Sequence, residues 1–145
     1  MTETNQFVPL EPHETELDQL DEFYWRQCHP NYLDGGVPSV QMFRESTGDN
    51  GKLSGARSEK ASAQLAYEER LARGGNTAGT WGVSLSEITA AGTRAVDDSV
   101  GDAALPTGHT YLDYRHLDDK PSARAVRSRL HEAATSRPRE WPPAP

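Results

Sequence analysis

The sequence predicts an α+β fold, a small mixed or antiparallel sheet of about four strands with two or three helices packed on one face. Three observations carry that reading. Segments alternating with period two recur at residues 23–29, 40–44, 78–85 and 110–117. Two segments with helical spacing, 62–73 and 121–137, interrupt the series. The resulting order, strand, strand, helix, strand, short helix, strand, helix, lacks the regular alternation of a parallel α/β sheet.

The first strand is rich in aromatics, with Phe23, Trp25 and Gln27 facing opposite to Tyr24, Arg26 and Cys28, and Pro30 keeps its predecessor extended and ends the element. Asp34-Gly35-Gly36 signals a turn before the second strand, in which Val40, Met42 and Arg44 oppose Gln41 and Phe43. Thr47-Gly48-Asp49-Asn50-Gly51 is a further turn. Ser58 or Ser62 caps the first helix, Gly74-Gly75 stops it, and Ala63, Ala66, Tyr67 and Leu71 form its expected buried stripe, with Glu68, Glu69, Arg70 and Arg73 largely outside. Trp81, Val83 and Leu85 alternate along the third strand, and Ser84-Leu85-Ser86-Glu87 is a capping box that starts a short helix ending near Gly92. Residues 93–108 read as a long connection. In the last strand Tyr111, Asp113 and Arg115 oppose Leu112, Tyr114 and His116. Pro121 suits the first turn of the final helix, whose stripe is Ala123, Val126, Leu130 and Ala133 or Ala134.

Composition sets the domain organisation. The 145 residues have room for one domain, and a hydrophobic fraction of 34%, a mean hydropathy of −0.78 and 10 Pro place part of the chain outside a core. Residues 1–22 hold seven acids and no Lys or Arg, so they account for the whole net charge of −7. Residues 1–20 are therefore expected to be an acidic, disordered arm, 21–136 a single α+β domain and 137–145 a Pro-rich tail. The lone Cys28 excludes an intramolecular disulfide and fits a reducing compartment, with cytoplasm the default. No apolar run approaches the roughly 20 residues of a membrane helix, and the N-terminus has neither a basic nor an apolar leader region.

The succession Trp25-Arg26-Gln27-x-His29-Pro30, then Phe43, Leu53-Ser54, an alanine-rich helix, Trp81-Gly82-Val83-Ser84-Leu85 and Leu112-Asp113 resembles a set of short, uncharacterised bacterial proteins. The resemblance spans residues 23–136. It implies a bacterial, cytosolic protein with a shared fold and transfers no function.

An Arg and a His at a strand end can hold a phosphate or carboxylate, because the guanidinium fork is bidentate and the imidazole can donate. Arg26 and His29 are so placed, and Arg44 and Arg57 lie on later elements. The glycines around Lys52 and Ser54 do not make a phosphate-binding P-loop, since Leu53 follows Gly51-Lys52. Cys28 and His29 are neighbours whose side chains point to opposite faces, which argues against a thiol nucleophile and for a structural Cys. Strand parity separates His116 from His109 and Asp113, so no metal set is complete. The row Arg124, Arg127, Arg129 is flanked by Asp118, Asp119 and Glu132, which argues against nucleic acid. No cofactor signature stands out.

Two functional expectations follow. The first is a small non-catalytic binding or accessory protein acting through a protein partner, in an immunity, antitoxin-like or operon-partner role. The second is a ligand-binding or enzymatic domain for a phosphate-bearing nucleotide, with Arg26, His29, Ser54, Arg57 and Asp113 lining one cleft. That layout loosely resembles ADP-ribosyltransferase-like folds, which place an Arg or His early, a Ser in the middle and an acid late, generally Glu where this chain has Asp113.

Overall fold

A computed structural model describes residues 7–45, 48 and 50–143. Thr47 and Asp49 of the expected turn, the first six residues of the arm and the last two of the tail lie outside this set. The frame is a six-stranded antiparallel sheet, β1 (Thr15–Glu16), β2 (Phe23–Cys28), β5 (Lys52–Arg57), β6 (Gly79–Ser84), β7 (Ala95–Asp97) and β8 (His109–Asp113), in the order β1-β7-β8-β5-β2-β6. A separate hairpin pairs β3 (Leu33–Asp34) with β4 (Val37–Pro38) around the Gly35-Gly36 turn, where both glycines have positive φ. The helices are α1 (Ala63–Ala72), α2 (Leu85–Ala91) and α3 (Lys120–Thr135).

Four expectations about the fold need correction. The sheet has six strands rather than four. The expected strand at 40–44 is instead a 3₁₀ turn, Val40–Phe43, which buries Met42 and Phe43 as a plug; its backbone groups are satisfied locally, Met42 N donating to Ser39 O and Arg44 N to Gln41 O, both at 3.1 Å, rather than across a ladder. Residues 93–108 contain β7, too short at three residues for its period to register. The helices occupy both faces. On one, α2 and α3 close a core of Tyr24, Cys28, Leu53, Trp81, Val83 and Leu112 with Leu85, Ile88, Val126, Leu130 and Ala134. On the other, α1 follows the register of Trp25, Gln27 and Thr80. Trp25 Nε1 donates to Ala61 O at 2.9 Å, and Thr80 Oγ1 donates to Ala63 O at 3.1 Å.

The local signals behave as expected. Ser62 caps α1 through Leu65 N, Ser84 and Glu87 form the capping box of α2, and Gly92 ends α2 with φ 105. Pro121 lies in the first turn of α3 as expected, and the structure adds Asp119 as its cap. The acidic segment is part of the fold from residue 7 onward. Leu17 is in the core, Glu14 accepts from Tyr111 Oη at 2.9 Å, and Thr15–Glu16 pairs with β7. The C-terminal segment returns to the β6 edge, where Thr80 N donates to Trp141 O at 2.7 Å, so that edge is covered.

Candidate functional site

The sheet is split between β2 and β5. β2 pairs with β6 along its whole length, and β5 pairs with β8 over five positions, yet β2 and β5 meet only at Tyr24↔Arg57 and Trp25↔Ala56. Gly55 lies against the Tyr24 ring, where a Cβ would collide with it. Beyond Trp25 the strands part, and Arg26 crosses the gap. Its Nε donates to Met42 O at 2.7 Å and its Nη1 to Ser54 O at 2.6 Å. A carbonyl of the 3₁₀ plug and one of β5 are thus satisfied by a side chain where the ladder ends.

A cavity of about 400 Å³ opens at this split. Its lining comes from β2 (Trp25, Arg26, Gln27), the turn after it (His29, Tyr32), Arg44, β5 (Ser54, Gly55, Ala56) and His109 of β8. α1 supplies the wall opposite the sheet with Ala66, Glu69, Arg70 and Arg73. These four are spaced i, i+3, i+4, i+7, so they share one helical face. The apolar stripe expected for α1 is correspondingly displaced: Ala63 is buried, Ala66 and Tyr67 are half-buried, and Leu71 is 45% exposed. The helix packs by its first turn and presents a charged stripe to the sheet across the cavity.

The remaining wall is Asn76 with Pro106 and Thr107 of the 98–108 segment, which is clipped to α1. Thr107 donates to Glu69 through its N at 3.0 Å and its Oγ1 at 2.8 Å, and Arg73 Nη1 donates to Ala104 O at 2.8 Å. Among the lining residues four arginines face one carboxylate, and that carboxylate is engaged by Thr107. In a chain of net charge −7 this is a local concentration of positive charge in a concave site. Each guanidinium has five N–H donors, so Arg26 and Arg73 retain some after their carbonyl bonds, and Arg44 is exposed. Trp25 and Tyr32 add aromatic surface.

The two histidines present opposite polarities. Asn31 N donates to His29 Nδ1 at 3.0 Å, which leaves the hydrogen of the neutral ring on Nε2. His109 Nδ1 lies 2.6 Å from Asp98 Oδ1; a carboxylate only accepts, so the hydrogen is on Nδ1, which in the neutral ring leaves the lone pair on Nε2.

Of the five residues singled out from sequence, Arg26, His29 and Ser54 line the cavity, as does Arg44. Arg57 and Asp113 do not. Arg57 is held by Glu22 at 2.7 Å, Glu59 at 3.0 Å and Asp97 at 3.0 Å. These partners keep its proton bound more tightly than usual, with Glu22 the largest contributor. Asp113 is fully buried between Arg94 at 2.9 Å and Arg115 at 2.8 Å. Burial alone would raise its pKa, but the bonds from Arg115 and Arg94 win and hold the carboxyl below the usual range. The late acid of the ADP-ribosyltransferase-like layout is therefore outside this cavity. Cys28 is buried, and desolvation pushes its thiol up to about 11 against the opposing charge of Arg26, consistent with an inert side chain.

Sequence reasoning missed Trp25, Tyr32, Glu69, Arg70 and Arg73 as lining residues, and weighed His109 only as a metal ligand. The i, i+3, i+4, i+7 spacing of Ala66, Glu69, Arg70 and Arg73 was the available signal. Among the described residues no group of three or more His, Cys, Asp or Glu is arranged to hold a metal ion, and no helix is long and apolar enough to cross a membrane. No protein-family model matches this chain, and comparisons with curated proteins and with solved structures likewise find no match.

Proposed function

We propose that this protein binds a phosphate-bearing nucleotide in the cavity at the β2–β5 split. The observation that carries the reading is the convergence of Arg26, Arg44, Arg70 and Arg73, from three separate parts of the chain, on one cavity that also holds His29, Ser54, Trp25 and Tyr32. Guanidinium groups suit phosphate oxygens, and the His29 Nε2–H adds a donor. Trp25 and Tyr32 offer faces for a base, and about 400 Å³ falls within the range of small-molecule sites.

The experiment is a thermal-shift panel of nucleoside mono-, di- and triphosphates and dinucleotides. A ligand present at 100 times its Kd stabilises by about 2.7 kcal/mol, which for a domain of this size is a rise of roughly 5–10 °C in Tm. The shift should fall to about half in Arg44→Met, as a tenfold loss of affinity requires. A flat panel sinks the nucleotide reading and returns weight to the accessory-protein reading, whose support is the lack of a complete catalytic motif in the sequence together with its segregated charge.

A further inference from the structure

We infer that Asp98 and His109 form a general-base pair with which the cavity hydrolyses the phosphoanhydride of its nucleotide, an inference that rests on the nucleotide reading above. The pair is built by the sheet. His109 opens β8 and Asp98 directly follows β7, the neighbouring strand, and Asp98 N donates to His109 O at 3.3 Å. The side chains meet at 2.6 Å and are only 13% and 18% exposed, so the ring is held in one orientation. His109 lines the cavity and sits cross-strand from Ala56, with Ser54 two residues along the same face of β5.

The polarity of His109 is what binding alone does not account for. Arg26, Arg44, Arg70, Arg73 and the Nε2–H of His29 are donors, as a phosphate site requires. In the neutral ring the lone pair on His109 Nε2 is an acceptor among them, and it repels phosphate oxygens unless a proton-bearing group sits between. A water molecule poised against phosphorus is such a group, and withdrawing its proton is general-base catalysis.

In that step the water oxygen forms a bond to phosphorus as the bond from phosphorus to the bridging oxygen breaks. The bridging oxygen leaves with the electron pair as a phosphate anion, which the arginines stabilise. His109 Nε2 takes one proton from the water and afterwards releases it to solvent. One anhydride and one water yield two phosphate products and one proton, with no change of oxidation state. His109 is the catalytic residue and Asp98 a positioning residue that fixes the ring's tautomer.

The test incubates the full chain with nucleoside di- and triphosphates and dinucleotide pyrophosphates, with and without magnesium, following binding by calorimetry and products by chromatography. At least one bound nucleotide should be cleaved. His109→Asn keeps an amide donor for Asp98 while removing the base, and should lower kcat about 10³-fold with Kd within about threefold. His109→Gln serves as the second variant if circular dichroism shows the first misfolded. Asp98→Asn should lower kcat about 10²-fold at unchanged KM, and Asp98→Glu should recover part of the loss. Nitrogen-15 NMR of the wild type should find the His109 proton on Nδ1. Nucleotides that bind but stay intact, or a His109→Asn variant as fast as wild type, overturn the general-base assignment alone. Failure of every nucleotide to bind overturns the binding reading, and this one with it.

Discussion

Arg57 and Arg26 stand on adjacent strands, and their different fates mark where the molecule is structural and where it is available. Around Arg57, Glu22 and Asp97 complete a buried ion cluster that Lys60 extends through a 2.7 Å contact to Asp97. Around Asp113, Arg94 and Arg115 do the same. In both clusters charge meets opposite charge inside the fold. Arg26 spends two donors on backbone carbonyls and has no carboxylate partner among the described residues, while Arg44, Arg70 and Arg73 join it around a cavity. Buried charges that are fully paired hold the sheet together, whereas the cavity's four arginines share the single lining carboxylate of Glu69, a surplus of positive charge in a concave site.

The largest effect tests the structural side. Asp113→Ala leaves Arg94 and Arg115 facing one another without their shared carboxylate, and should cost about 3–5 kcal/mol in urea unfolding. An effect under about 1 kcal/mol would show that the cluster is not structural.

Acid should act through the same groups. Asp97 and Asp113 titrate below the ordinary aspartate range in the fold; burial opposes this, but bonds from Lys60, Ser99 and Arg57 on Asp97, and from Arg115 and Arg94 on Asp113, prevail. Because the folded-state values lie below those of the unfolded chain, the stabilisation is complete above about pH 4 and drains away as pH falls toward the folded-state values. Stability should thus decline on acidification below about pH 4. Asp97→Asn should start less stable and decline less steeply, as urea midpoints against pH would measure.

Arg26 bridges the two sides of the comparison. Arg26→Ala removes donors from Met42 O and Ser54 O and should cost about 1–3 kcal/mol of stability, while nucleotide affinity falls at least tenfold. Arg44→Met should produce the smallest structural effect, within about 0.5 kcal/mol since Arg44 is exposed, yet still weaken nucleotide binding about tenfold. If stability and affinity fall together in Arg44→Met, the division between structural and available arginines fails.

Much of the fold was legible because the relevant signals are local. Ser62, the Ser84/Glu87 box, Gly92 and Pro121 each act on backbone groups within a few residues, and α1 and α2 begin and end, and α3 begins, where those signals place them. β1 and β7 were not legible, since two or three residues carry too little periodicity. A few of the lining residues, Arg26, His29 and Ser54, were visible. The α1 wall was hidden because a charged face on a short helix reads as solvated, and Arg70 and Arg73 are indeed exposed while also lining the cavity with Glu69.

By itself the sequence determined the α+β class, the caps of α1 and α2 and the Gly35-Gly36 turn, all of which depend on alternation or short-range hydrogen bonds. Tertiary structure alone decided which arginines find a carboxylate. Glu22 and Asp97 reach Arg57 across 35 and 40 positions of chain, and the split between β2 and β5 depends on how far two strands separated by more than twenty residues stay in register. Such distances are set by the packing of the whole sheet, and they convert one arginine into a structural clasp and its neighbour into part of a site.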